Sequence, residues 1–375
     1  MSNKIVYFTL LLFIVFLVSC SKETRNTTSV YFAKKTDMAM SDLVSDYTFI
    51  SLETKDDNLI LDASMVRIWN DYIYILDCFS QNKSIYVFDI QGKYLGKIGN
   101  VGGGPGEYIM PLAIVVDEVN NQLIVKDVAL NKLLYYNLSS FKYVKEQSIP
   151  FYSDCMEYYK DETIVWYIGS GCANVDDYQK HIQVSDLQCN IIDRYIPRKK
   201  FPQRSMYNVM TYFHKYNDKL FFHHPFSNVV YSYNNVEDSV MVEYTLSSDG
   251  IIFPSEEYVM DNNENIVEQL SNDGHVQYYD LHENSEKILC YFGVNKSKYI
   301  GVYSKKDGIG LYSDVEHIKD DLGLIKYGRP KTVYNDFFVN VIYREGLDSL
   351  SENSVLKPYF ESKDNNLNPI LVLYK

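Results

Sequence analysis

Along most of the chain, apolar residues come in short runs of four to seven, often alternating with polar ones, and each run ends in a cluster of Asn, Asp, Gly, Ser or Lys. Alternation with a period of two, broken by turn residues, predicts β-strands, and helical periodicity is scarce. The runs repeat. NDYIYILDCFSQNKSIYVFDIQGKYLGKIG, residues 70 to 99, realigns without a gap on NNQLIVKDVALNKLLYYNLSSFKYVKEQSI, residues 120 to 149, so that Asp77 falls on Asp127. Each copy predicts a strand ending in Asp, a loop with Asn-Lys, a strand centred on Tyr, a polar turn and a third strand. A further run precedes each copy, MVRIWN at 65 to 70 and LAIVVD at 112 to 117.

More worn copies follow. HIQVSDLQCNII (181 to 192) matches SIYVFDIQGKYL, and YNDKLFFHHPFSNVVYSYN (216 to 234) matches WNDYIYILDCFSQNKSIYVFD. A fifth copy runs from Lys287, and KTVYNDFFVNVIY, from Lys331, begins a sixth. Four strands in a repeat of roughly 40 to 60 residues is the pattern of a propeller blade. The expected fold is an all-β, six-bladed β-propeller over residues 30 to 375. Blade six supplies only three strands before the chain ends at PILVLYK, whereas YTFISLE at 47 to 53 belongs to no other repeat. This N-terminal strand is therefore expected to complete the last blade and close the ring.

The stretch GNVGGGPGEYIMP, residues 99 to 111, lies between the first two copies. A phosphate loop would need GxxxxGK[ST], or GxGxxG leading into a helix, but Glu107 stands where the last glycine would fall and a strand follows. The stretch is expected to be a tight crossing from the outer strand of one blade to the inner strand of the next. Glycines at positive φ, Gly103 and Gly104 among them, would be strained by substitution there.

The N-terminus sets the expected location. Lys4 leads into the apolar run IVYFTLLLFIVFLV, residues 5 to 18, too short for a bilayer helix and flanked as a secretory signal is. Leu17-Val18-Ser19-Cys20 resembles a bacterial lipobox, which implies a signal peptide over 1 to 19, acylation of Cys20, and a lipidated tether over 20 to 29. Past residue 19 there remain 35 basic against 49 acidic side chains. This argues against nucleic acid as a partner and leaves membrane attachment to the lipid on Cys20. Cys78, Cys155, Cys172, Cys189 and Cys290 form no CxxC pair and are expected to be buried free thiols.

The run GKIGNVGGGPGEYIMPLAIVVDEVNNQLIVKDVALNKLLYYN resembles an NHL repeat. Together with the lipobox and the closing NPILVLYK, it is similar to six-bladed β-propeller lipoproteins of uncharacterised function from Gram-negative gut-type bacteria. The resemblance implies a propeller in the cell envelope, as an outer-membrane lipoprotein facing the periplasm or the cell surface. It implies no reaction. NHL-like propellers do include metal-dependent lactone hydrolases and amidating lyases, but no catalytic motif stands in this chain. His282-Glu283 is followed by no second histidine, Asp261, Asn263 and Asn265 start a calcium-like loop in which Ile266 and Asn272 replace the required Gly and Glu, and GxSxG is absent. His223 and His224, adjacent on a strand, would face opposite sides. Asp77 and Asp127 are expected to accept hydrogen bonds from turn amides.

What remains is the channel mouth. Polar residues at the expected inner strands are Arg67, Asp154, Glu157, His214, His275, Gln277 and Arg329. They form either a solvated tunnel wall or a site that binds a small anion, a sugar or glycan, or an envelope protein, with no metal and no cofactor expected. A metal-dependent hydrolase or lyase on the same fold, and a structural accessory subunit of an outer-membrane uptake complex, are the alternatives.

Overall fold

A computed structural model describes residues 27–160, 162–169, 180–197, 213–224, 226–234, 239–261, 266–324, 329–343, 354–360 and 368–375. The expected signal peptide, the expected lipidation site at Cys20, most of the expected tether, Cys172, and Asn263 and Asn265 lie outside these residues. The strands are short because turn chemistry ends them. Trp69 pairs with Tyr72, Tyr216 with Lys219 and Tyr334 with Phe337, each across an Asn-Asp pair in which both residues have positive φ. Two successive left-handed residues make the turn that matches strand twist, and Asn and Asp tolerate it better than other non-glycine residues.

The hairpins assemble into six blades around a channel, each counted from its inner strand outward. Blade one is Met65–Trp69, Tyr72–Asp77, Ser84–Asp89 and Tyr94–Ile98, and blade two is Pro111–Asp117, Gln122–Asp127, Lys132–Asn137 and Tyr143–Ser148. Blade three is Cys155–Tyr159, Thr163–Tyr167, Lys180–Ser185 and Ile191–Pro197, and blade four is Phe213–Tyr216, Lys219–His223, Val229–Asn234 and Ser239–Ser248. Blade five is Tyr278–Glu283, Lys287–Val294, Ser297–Ser304 and Gly310–Asp314. Blade six is Thr332–Tyr334, Phe337–Ile342, Ile370–Tyr374 and, outermost, Tyr47–Ser51.

The ring closes as expected. Tyr47–Ser51 runs antiparallel to Ile370–Tyr374, from Tyr47 opposite Tyr374 to Ser51 opposite Ile370. Burial then welds the seams between blades. Leu371 and Val341 of blade six pack with Val66, Ile73 and Ile75 of blade one, and Trp166 of blade three shares a cluster with Leu134 and Tyr135 of blade two.

Sequence reasoning missed a second N-terminal device. Thr28–Lys34 lies parallel to the outer strand of blade four, with Thr28 opposite Tyr244, and its end pairs with blade five, with Ala33 opposite Leu311. The segment assigned to the tether therefore joins the propeller at Thr28. Blades four and five become one nine-stranded sheet, with Phe32 fully buried over Gly301, where a Cβ would come within 2.9 Å of its ring.

The glycine-rich stretch is the crossing from Tyr94–Ile98 to Pro111–Asp117, held by a short parallel pairing of Asn100–Val101 with Glu107–Tyr108. The expectation for Gly103 and Gly104 needs correction. The left-handed glycines are Gly99 and Gly106, with φ of 66° and 72°. A Cβ on Gly103 would meet nothing within 4 Å, whereas one on Gly106 would lie 2.8 Å from Tyr143 Cβ. Gly102 to Gly104 instead curl over the Glu107 carboxylate, which accepts from the Gly104 amide at 2.8 Å. Asp127 is buried and accepts from Ile109 N at 2.6 Å and Ala129 N at 2.8 Å, tying this crossing to its own blade. Asp77 does the same for blade one through Leu61 N at 3.0 Å and Ser80 N at 3.3 Å.

Candidate functional site: the central channel

The inner strand of each blade has one free edge, which faces the channel, so polar side chains are tolerated there. A cavity of about 180 Å³ results, and all six blades line it. Arg67 and Trp69 come from blade one, Val116 and the exposed Glu118 from blade two, and Glu157 from blade three. His214 and Lys215 come from blade four, His282 from blade five, and Lys331 and Thr332 from blade six. At the face that carries the inner hairpins, Glu118 and Lys215 also border a second recess of about 490 Å³, with Tyr158, Tyr159 and Tyr216 in its wall.

Charge in and behind the channel wall is organised in three groups. Glu157, 6% exposed, accepts from Arg67 Nη2 at 2.9 Å and lies 3.2 Å from Lys215 Nζ, so one carboxylate holds two cations. The fully buried Glu283 lies 3.2 Å from His214 Nε2 and 2.6 Å from Lys305 Nζ, and accepts from the Tyr244 hydroxyl at 3.0 Å. Burial opposes ionisation of Glu283, but His214 and Lys305 outweigh it and hold the carboxyl below the usual range. Burial pushes His214 downward, and Glu283 opposes that shift. In the third group Asp280 accepts from Arg329 Nε and sits 3.5 Å from His282 Nε2. Burial again opposes its charge, and Arg329 with His282 holds it well below the ordinary carboxylate range.

Lys331 stands apart. It lines the cavity, yet no carboxylate among the described residues lies within 4.0 Å of its ammonium. Burial lowers its pKa, and the neighbouring Arg329 lowers it further.

Of the residues expected at the channel, Arg67, Glu157 and His214 are brought together in the cavity. Arg329 does not line it and instead donates to Asp280. Asp154 precedes the inner strand of blade three and accepts from the Tyr152 hydroxyl at 2.7 Å. His275 and Gln277 lie upstream of the inner strand of blade five, with His275 packed 4.4 Å from Tyr258 between ring centroids and the Gln277 amide bonded to Gly293 O. The strand sits later in the chain than expected, at Tyr278–Glu283, and so presents Asp280 and His282 instead. Its run YYDLHE alternates apolar and acidic or basic positions, a signal that could have been read. Trp69, Glu118, Lys215 and Lys331 were also missed, hidden beside the residues that were chosen.

Among the described residues, no group of three or more His, Cys, Asp or Glu side chains is arranged to hold a metal. His223 stacks on Tyr279 at 4.0 Å and His224 meets His181 at 4.2 Å, on opposite sides of their strand. Cys78, Cys189 and Cys290 are buried free thiols, and Cys155 is buried as well.

Residues 19 to 340 match the family DUF5128, described as a 6-bladed beta-propeller. The chain belongs to this family. A crystal structure of a Bacteroides fragilis protein described as exported is similar over 93% of this chain and 99% of that one, with 24% identity and a TM-score of 0.82. A member of the DUF4221 family from Bacteroides vulgatus is similar over 88% of this chain and 97% of its own, with 11% identity and a TM-score of 0.51. At these identities the two structures support the fold alone. No curated protein matches the chain. No helix among the described residues is long and apolar enough to cross a membrane.

Proposed function

We propose that this propeller is a lipid-anchored binding module of the cell envelope and that the channel cavity is its ligand site. The observation that carries the reading is the convergence of all six inner strands on one cavity, with Arg67, Glu157, His214, Lys215 and Lys331 in its wall. Polar groups converging in a concave site backed by apolar side chains are what a small-molecule pocket needs. At roughly 30 Å³ per water, the cavity has room for about six waters or one small organic molecule. The lipobox at Leu17–Cys20, the NHL-like run around residues 96 to 137 and the likeness to an exported Bacteroides protein support the envelope location.

A thermal-shift screen of the purified full-length protein in detergent, against small acids, sugars and amino acids, tests the ligand site. Stabilisation by a true ligand is lost when Thr332→Phe fills the channel and is weakened by Arg67→Ala. Compounds that stabilise wild type and Thr332→Phe equally would put binding elsewhere and contradict the reading.

A further inference from the structure

We infer that the channel cavity is built for a small organic acid whose carboxylate pairs with Lys331. The inference rests on the reading of the channel as a ligand site and adds the chemistry of the ligand.

The argument begins with charge. The protein is acidic, with a formal net charge of −13, yet three cations, Arg67, Lys215 and Lys331, line the cavity against two carboxylates, Glu118 and Glu157. Glu118 is exposed at the rim, so inside the channel Glu157 alone answers Arg67 and Lys215. Other cations near the channel are satisfied: Arg329 by Asp280, Lys305 by Glu283 and Lys219 by Glu243. Lys331 has no such partner among the described residues. A half-buried ammonium without a counter-ion destabilises the fold, and substitution by an apolar side chain would relieve it. An anion in the cavity supplies the missing partner, in surroundings drier than bulk water where the attraction is stronger.

The rest of the wall decides what kind of anion. Trp69, Val116 and Val333 line the same cavity and offer apolar surface that an inorganic ion would leave unused. A carboxylate with a short hydrocarbon or hydroxylated body meets both requirements, and the volume limits it to about ten non-hydrogen atoms. Binding also takes up protons. Burial and Arg329 depress the Lys331 ammonium, Asp62, Asp280 and Cys78 oppose them only in part, and a bound anion returns it toward its ordinary value, so affinity falls as pH rises through the depressed range.

The test uses full-length protein with its lysines ¹³C-dimethylated, which keeps their charge. The Lys331 methyl resonance is assigned by its absence from Lys331→Arg. Formate, acetate, propionate and butyrate are titrated at constant ionic strength, with inorganic phosphate and glucose as controls. The Lys331 resonance is expected to shift saturably with the carboxylates, more tightly as the alkyl body lengthens. Lys331→Met, which keeps the stem and removes the charge, should weaken binding roughly ten- to hundredfold while leaving the thermal midpoint equal or higher. A response to phosphate alone would overturn the organic-acid assignment. If glucose binds and is excluded by Thr332→Phe while no carboxylate moves Lys331, the anion inference fails and the channel reading stands. Carboxylate binding that persists unchanged in Thr332→Phe defeats both.

Discussion

Leu371→Ala asks whether the two ends of the chain hold the propeller together. Leu371 has no exposed surface and sits between Ile50 of the N-terminal strand and Val341, over Val66, Ile73 and Ile75 of blade one. Leu-to-Ala substitutions in cores cost about 2 to 5 kcal/mol, rising with the cavity left behind. A fully enclosed site between two sheets cannot collapse easily, so we expect about 3 to 4 kcal/mol, a large share of the roughly 5 to 15 kcal/mol by which a folded protein is stable. With a urea dependence of about 3 kcal/mol per molar, the midpoint falls by about 1 M. The assay exploits the presence of two tryptophans, Trp69 and Trp166. In a Trp69→Phe background, fluorescence reports only Trp166, buried in blade three and bonded to Ser185 Oγ at 2.8 Å. If closure couples the whole ring, Trp166 reports the same loss although it lies far from the seam. Leu95→Ala, at a 39% exposed position on the outer strand of blade one, should shift the midpoint by less than about 0.5 kcal/mol equivalent. An unchanged Trp166 midpoint in Leu371→Ala, with an early loss of circular dichroism, would mean that blades unfold independently and would refute the closure argument.

Cys20→Ala should block lipoprotein processing and remove the protein from the palmitate-labelled fraction; continued labelling would exclude lipid attachment at that residue. Gly106→Ala, at a left-handed φ with Tyr143 behind it, should destabilise by roughly 1 to 3 kcal/mol, and Gly103→Ala should be close to neutral. Equal urea midpoints for the two variants would contradict the account of the glycine-rich crossing. Acid should weaken the fold: burial pushes His223 down to about 4, so the unfolded chain, with its histidine near 6.5, binds the proton first as pH falls. Stability is expected to drop by roughly 3 kcal/mol between about pH 7 and about pH 4, with Asp280 and Glu283 adding losses below that because their pKa values are also depressed. His223→Asn should flatten the upper part of this profile in urea titrations, and an unaltered profile would count against His223 as its source.

The fold was legible where local chemistry repeats. Blades one and two align residue for residue because both use an Asp at the end of the second strand to gather loop amides, as Asp77 and Asp127 do. The Asn-Asp turns at 70, 217 and 335 mark three inner hairpins directly. Closure could be anticipated by counting, since one strand was missing at one end of the chain and one was spare at the other. Thr28–Lys34 could not, because parallel pairing with Tyr244 and Leu311 crosses more than two hundred residues and leaves no turn to read. The site was only half legible for a related reason. Arg67, Glu157 and His214 stand out as polar residues in apolar strands, but the inner strand of blade five follows the helical stretch Ile266–Asn272, and that displaced the choice to His275 and Gln277. Lys331 carries no mark in the sequence, since what distinguishes it is that no carboxylate among the described residues comes within ion-pair distance of its ammonium.

Anomalous diffraction from crystals soaked in bromide tests the central claim most directly. Bromide reports where a protein accepts a small anion away from water. The account predicts a strong peak inside the channel, in contact with Lys331 Nζ and absent from Lys331→Met crystals, and displaced when butyrate is added. Bromide confined to surface lysines, with the channel unoccupied by it in wild type and variant alike, would contradict an anion site in this propeller.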